Sequence, residues 1–297
     1  MKLFLLVALA VSPALAKGPL AQRIGHTDPS KYVNVSGPGT HLGAGHFLIT
    51  ALLDADIFHT NLVLYHRGVV PPKCGIGNHL QYGLEDCFVI FDNEAQFTVN
   101  GRTARLEGPV AVPATLRGSH ALYNPTDQPT EWMNIAVSTV KGMPGDIVNL
   151  DDDRANAPLD PKPVFMFAPL RRNLLRPVEH MNGGKGTVQY RRALTSEMFL
   201  TNWAYLDHML LPPGASVGRH KHMGLEEVFY VMSGQGSVTV NGESADIRKG
   251  DAVPVLLQEV HSFQNTGAQD LELLVVGISL EKGKLDSIDV PEGAGGG

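Results

Sequence analysis

Hydrophobic positions in this chain fall in short alternating runs, broken by turn residues roughly every 8–12 positions, the pattern of an all-β sandwich or barrel. The stretch SVTVNGESADI shows the rule, with alternation on both sides of Asn241-Gly242, a pair that predicts a two-residue hairpin. Asn100-Gly101 sits between alternating segments in the same way. The run EVFYVM is rich in aromatic and β-branched residues and is closed by SGQG, so a strand is expected from about Glu227. RKGDAVPVLLQEVHSFQNTG reads as turn, strand, loop, strand. No long stretch carries the period of an amphipathic helix.

The pattern occurs twice. Residues 43–138 lie over residues 184–279 without a gap at an offset of 141, with about 28 identities in 96 positions where chance gives about six. Shared landmarks include Phe58/Phe199, His79/His220, Asn100-Gly101/Asn241-Gly242, Pro113/Pro254, His120/His261 and Asn124/Asn265. A tandem duplication into two β domains, 43–138 and 184–279, follows. Residues 141–183, richer in Pro, Asp and Arg, read as a linker with a single helical turn. Asp151–Asp153 and the arginines at 171, 172 and 176 read as solvated charge there. The final EGAGGG reads as a flexible tail.

Within the second copy, GASVGRHKHMGLEEVFYVMSGQG places His220 and His222 two apart, on one face of a strand. Glu227 heads the next strand and is expected beside them across an antiparallel pair. His261 begins a further strand, HSFQN. These four side chains are therefore candidates to converge on one ion. Three imidazoles and a carboxylate suit a divalent first-row metal, Mn, Fe, Co, Ni, Cu or Zn, and leave up to two positions open for ligand.

These residues resemble a cupin, and the duplication resembles a bicupin. Gly214, His220, His222, Glu227 and Gly234 match the first cupin motif, whose spacing selects Glu227 over Glu226. Gly250, His261 and Asn265 match the second, although its central Pro-x-Gly is replaced by Leu256, Leu257 and Gln258. The resemblance implies two tandem double-stranded β-helix (jelly-roll) barrels, with metal at His220, His222, Glu227 and His261. The first copy offers His79, Gln81, Asp86 and His120 instead. Gln is a weak donor, and Asp withdraws its carboxylate by roughly an ångström where good sites hold distances to about 0.2 Å. A degenerate site is expected there, its members hydrogen-bonded to one another. Asn265 is expected to orient a loop or ligand, Phe229, Val231 and Phe263 to form an apolar wall, and Tyr205 and Gln264 to lie near the mouth.

Composition narrows the setting. Hydrophobic residues make up 43% and charged residues 18% of 297, enough for two real cores. A net charge of −6 gives no electrostatic reason to expect nucleic acid. Residues 1–16, MKLFLLVALAVSPALA, read as a secretory signal cleaved after Ala16, which predicts a secreted or periplasmic protein. No lipobox cysteine follows, so no membrane anchor is expected; an oligomer is compatible with the sequence. Cys74 and Cys87 are the only cysteines, and the expected register does not oppose them. The resemblance thus implies an exported metal-dependent enzyme acting on a small, anionic, oxygen-rich molecule, of dioxygenase, decarboxylase, lyase or isomerase type. The alternative is a non-catalytic, metal-anchored binder of a carboxylate or sugar.

Overall fold

The computed structural model describes residues 19–143 and 145–291. The expected signal, residues 1–16, and the tail, residues 292–297, lie outside the described residues. The alternation resolves into two β-barrels, each a seven-stranded antiparallel sheet facing a five-stranded one. In the second barrel the larger sheet has Leu225–Ser233 and Trp203–Leu211 on either side of Leu271–Ser279, and the smaller has Ser216–Lys221, His261–Gln264 and Gln235–Val240 as adjacent strands. The first barrel repeats this with Leu84–Ile90, Thr130–Ser138 and Leu62–Val70 facing Gly75–Tyr82, Ser119–Tyr123 and Glu94–Val99. Both Asn-Gly pairs close two-residue hairpins, Val99 opposite Arg102 and Val240 opposite Glu243. All four turn residues have positive φ, which Asn and Gly adopt most readily.

Among the described residues the buried apolar side chains form three cores. One fills the second barrel around Phe229, Val238 and Phe263. Another fills the first around Phe88, Phe97 and Trp132. The third joins the larger sheets of both barrels, with Tyr65, Met133 and Ile135 packed together with Trp203, Val228 and Tyr230. This explains why Trp203–Leu211 is buried at every residue: one face lines a barrel interior and the other meets the sister barrel. Each fully buried large apolar side chain contributes about 1.5–3 kcal/mol, so this shared layer ties the stability of each barrel to the other.

The contact between barrels has a pseudo-twofold axis, visible in two carboxylates that the repeat aligns. Glu226 is fully buried and accepts from the backbone N–H groups of His59 and Thr60 and from the Thr60 hydroxyl. Its counterpart Glu85 accepts from the N–H groups of Leu200 and Thr201 and from the Thr201 hydroxyl. The acidic pair at 226–227 therefore divides its work, because neighbouring residues of a strand face opposite ways. Glu226 points to the other barrel and Glu227 into its own.

Residues 141–183 are built into both barrels. Asp146–Asn149 adds a strand beside Gly75–Tyr82, Ala168–Pro169 pairs with Val110–Ala114, and Arg176–Glu179 pairs with Thr187–Thr195. Short single-turn 3-10 helices at Arg172–Leu174 and Met181–Gly183 punctuate the segment. Its charges are used locally: Arg154 pairs with Asp152, Arg171 with Glu107, and Arg172 with Glu272 and Asp270. The N-terminal arm crosses the other way. Gly25–His26 pairs with Asp251–Val255 of the second barrel, the Leu20 N–H donates to Glu243, and the buried Arg23 meets Glu259 at 2.8 Å. Cys74 and Cys87 are both free and buried.

Candidate metal centre

His220 and His261 lie opposite each other on adjacent strands of the smaller sheet. Glu227 comes from the larger sheet, whose strand Leu225–Ser233 pairs with Asp251–Val255 and Leu271–Ser279. The expectation that Glu227 stands beside the histidines across one antiparallel pair is thus corrected. After His222 the chain turns and crosses the barrel, so carboxylate and imidazoles meet from opposite walls. Their ligand atoms all fall within 4.8 Å of one another, and all four residues are buried.

The direction of each imidazole is set by its outer nitrogen. Nδ1 of His220 lies 2.9 Å from the Gly218 carbonyl, Nδ1 of His261 lies 3.1 Å from that of Glu259, and Nδ1 of His222 meets that of Asp286. A carbonyl only accepts, so each Nδ1 carries a proton and Nε2 of each neutral ring presents its lone pair. The Nε2 atoms of His222 and His261 both lie 3.1 Å from Oε2 of Glu227, yet none of these three buried atoms has a hydrogen-bond partner. Lone pairs and a carboxylate held face to face repel unless a proton or a cation lies between them, and a metal ion serves all of these donors at once. The donor set therefore fits a divalent transition metal.

Burial, and then the neighbouring His261, pulls His220 down to about 4, so it is neutral and ready to ligate near pH 7. Burial alone would raise the carboxyl of Glu227, but His222 and His261 outweigh it and hold the group well below its ordinary range. Burial also opposes the proton on His222, yet Glu227 prevails and raises that imidazole. Oε1 of Glu227, the oxygen turned away from the cluster, accepts from the Tyr205 hydroxyl at 2.7 Å. A Cβ at Gly277 would lie 2.6 Å from the Tyr205 ring, so only glycine leaves that ring room.

The cluster opens into a cavity of about 350 Å³, whose lining includes His220, His222, Glu227, Phe229, Tyr190, Arg192, Tyr205 and Asp207. Asp207 accepts from Nε and Nη2 of Arg192 at 3.0 and 3.1 Å and from the Tyr190 hydroxyl at 2.8 Å. Burial outweighs these contacts and pushes Asp207 up to about 6. The guanidinium of Arg192 lies 4.0 Å over the Tyr205 ring. Residues Leu285, Asp286 and Ser287 close one side of the cavity.

Other expected residues are placed differently. Val231 and Phe263 are plain core. Gln264 is exposed and faces away from the cluster, lining a separate outer groove with Ser216 and Ser237. Asn265, by contrast, does hold a loop, donating to the carbonyls of Leu211 and Gln269. Tyr190, Arg192, Asp207 and Asp286 were not singled out by motif; the signal that finds them is difference between the copies, argued below.

In the first barrel His79, Asp86 and His120 also approach as a buried group. Here one oxygen is already engaged from two sides, since Gln81 donates to Oδ2 of Asp86 at 2.9 Å and Nε2 of His120 lies 3.2 Å from it, while Oε1 of Gln81, Oδ1 of Asp86 and Nδ1 of His120 keep no partner among the described residues. His79 is stacked on His41 at 3.9 Å, and burial lowers it to about 2.

Comparison with known proteins agrees with this geometry. The sequence profile of Cupin_2, the cupin domain, matches residues 207–277. The oxalate-binding protein of Thermotoga maritima is 41% identical over 103 residues, which are 35% of this chain and 85% of that protein. Among solved structures, oxalate decarboxylase of Bacillus subtilis superposes with a TM-score of 0.61 at 14% identity, covering 90% of this chain and 78% of that one. The formate complex of oxalate decarboxylase from Lactobacillus farciminis gives 0.58 at 15%, covering 90% and 88%. At such identities the structural likeness speaks for the fold, and the fold it shares is the double barrel. The Thermotoga relative, spanned over most of its length, carries the assignment further: this chain belongs to the cupins, as a member with two barrels.

Proposed function

We propose that the second barrel holds one divalent transition metal through His220, His222, Glu227 and His261, and acts there on a small oxygen-rich anion of the oxalate type. The observation that carries this reading is the set of three buried, unpartnered atoms on His222, His261 and Glu227. They face one another at the floor of a cavity large enough for a small molecule. When bound, the ion supplies Lewis acidity and an anchoring charge to a chelated carboxylate. The remaining work falls to the chain. Tyr205 fixes the orientation of Glu227, Phe229 limits water on one side, and Asp207 with Tyr190 provides a proton-holding pair in the same cavity. Carbon–carbon cleavage of hydrogen oxalate into formate and carbon dioxide relocates one proton, so a group ionising near neutrality favours turnover.

A second reading, binding without turnover, is favoured by the name of the Thermotoga relative, an oxalate-binding protein. One experiment separates the two. Purified protein is analysed for metal, then incubated with oxalate while formate and carbon dioxide are measured. Product release at one metal per chain supports the enzyme; calorimetric binding without product supports the binder. Metal-loaded protein that neither binds nor converts oxalate sinks both.

We further propose that the first barrel is metal-free, because Gln81 is a weak donor in place of an imidazole and Oδ2 of Asp86 is already held by Gln81 and His120. Export is proposed from the N-terminal hydrophobic run, and mass analysis of mature protein should find Lys17 at its N-terminus.

A further inference from the structure

The two barrels are an internal control for the wall of the cavity. At the offset of 141, Tyr190 corresponds to Ile49, Arg192 to Ala51, Tyr205 to Leu64, Asp207 to His66 and Gly277 to Ala136. The strand registers agree, since Ala51 opposes His66 just as Arg192 opposes Asp207. The first barrel therefore folds with none of this polar network, so the network is not a requirement of the architecture. It occurs in the barrel that keeps three histidines and a glutamate, and is missing from the one that has Gln81 and Asp86 in their place.

The geometry of the guanidinium says what the network presents. Asp207 takes Nε and Nη2 of Arg192, and Tyr205 supports its face, so the side chain is held from two directions. Its Nη1 makes no hydrogen bond among the described residues, and the side chain keeps 34% of its exposure. Tyr205 bridges the remaining gap, with its hydroxyl on Glu227 and its ring under Arg192. An anion anchored at the cluster thus has one fixed, permanently charged donor on the facing wall.

We propose that Arg192 is the specificity-determining residue of this cavity, receiving the second oxyanionic group of a small dianion whose first group is anchored at the histidine–glutamate cluster. This rests on the reading of the cluster as a metal-anchored carboxylate site. Asp207 and Tyr190 are positioning residues that aim the guanidinium. The charge balance makes the class definite. A divalent ion, Glu227, Arg192 and ionised Asp207 sum to about +1, which favours anions, and the paired arrangement of charges favours two anionic ends over one.

The test compares oxalate with oxamate, which has nearly the same shape and carries an amide in place of one carboxylate. Both are titrated calorimetrically into Mn(II)-loaded wild type, Arg192→Met and the charge-neutral double variant Arg192→Met with Asp207→Asn. The double variant avoids leaving Asp207 buried and unpaired. Expected results are unchanged metal content, a loss of about 10- to 100-fold in oxalate affinity, little change for oxamate, and a preference ratio near one. Asp207→Asn alone, which unties the guanidinium, should lower the preference for oxalate several-fold with unchanged metal content. A preference for oxalate that survives in both Arg192 variants overturns the inference while leaving the metal-anchored reading intact. Wild type that holds metal but binds neither anion overturns both.

Discussion

His220 is the residue on which the site turns, because it joins the two strands that carry the imidazoles. Replacing it with alanine leaves Glu227 facing two imidazoles and removes a quarter of the donor set. His220→Ala is expected to lose the metal, whereas His79→Ala should leave the metal content of the whole chain nearly unchanged. Elemental analysis checks this, and two equivalents in wild type with one lost in His79→Ala would show that the first barrel is active. The four clustered residues were legible because their spacing is short and falls within two motifs. Arg192 and Asp207 were not, for a physical reason. A register shift between Arg192 and Leu194 breaks the in–out alternation by which a strand is read, so which side Arg192 faces is decided by its pairing with Asp207. The difference between the copies was present in the sequence throughout, and only the geometry gives it meaning.

At the level of elements, the hairpins were readable and the sheets were not. Asn-Gly turns dictate local pairing, but nothing local tells the strand of Glu227 to join the sheet opposite His220 and His222. Nor did the polar composition of residues 141–183 announce strands, since Asp146–Asn149 is exposed along its length and is held by backbone pairing with Gly75–Tyr82. The repeat has the same device in the second barrel, where Ile288–Asp289 pairs with His220 and Lys221. That late strand brings Asp286 to the centre. Its carbonyl accepts from His222, and its carboxylate accepts from the N–H groups of Met223 and Gly224. Partners of this kind are worth 10- to 100-fold in metal affinity. Asp286→Ala, which frees the turn after His222, is expected to weaken metal binding about 10-fold with a small effect on melting. Competition with a chelator of known affinity measures it, and an unchanged constant would assign Asp286 to loop structure alone.

For the whole molecule, the reciprocal carboxylates Glu85 and Glu226 and the core shared by both larger sheets predict one cooperative thermal transition rather than two. Glu226→Ala strands the N–H groups of His59 and Thr60 and the Thr60 hydroxyl beside an apolar layer. A cost of about 3 kcal/mol is expected, lowering the midpoint by roughly 5 °C or more. Glu85→Ala should cost about as much, because the pseudo-twofold axis gives it equivalent donors. Calorimetry decides: two separate peaks in wild type, or a variant melting like wild type, would remove the carboxylates from the account of stability.

The N-terminal arm gives the molecule an order of assembly. His26 meets Asp251 across 225 residues of chain, so an earlier-made segment completes one made much later. At ~5–20 residues per second, the arm is made roughly 10–45 s before its partner strand exists. Through that interval Leu20 and Ile24, both buried in the finished protein, have no barrel to enter. A neighbouring copy whose own arm has frayed offers the same groove, with Glu243 and Glu259 in place to receive it. Crowded nascent chains thus have a route to trade arms, and pairs linked this way would keep the contacts that each arm makes with a barrel.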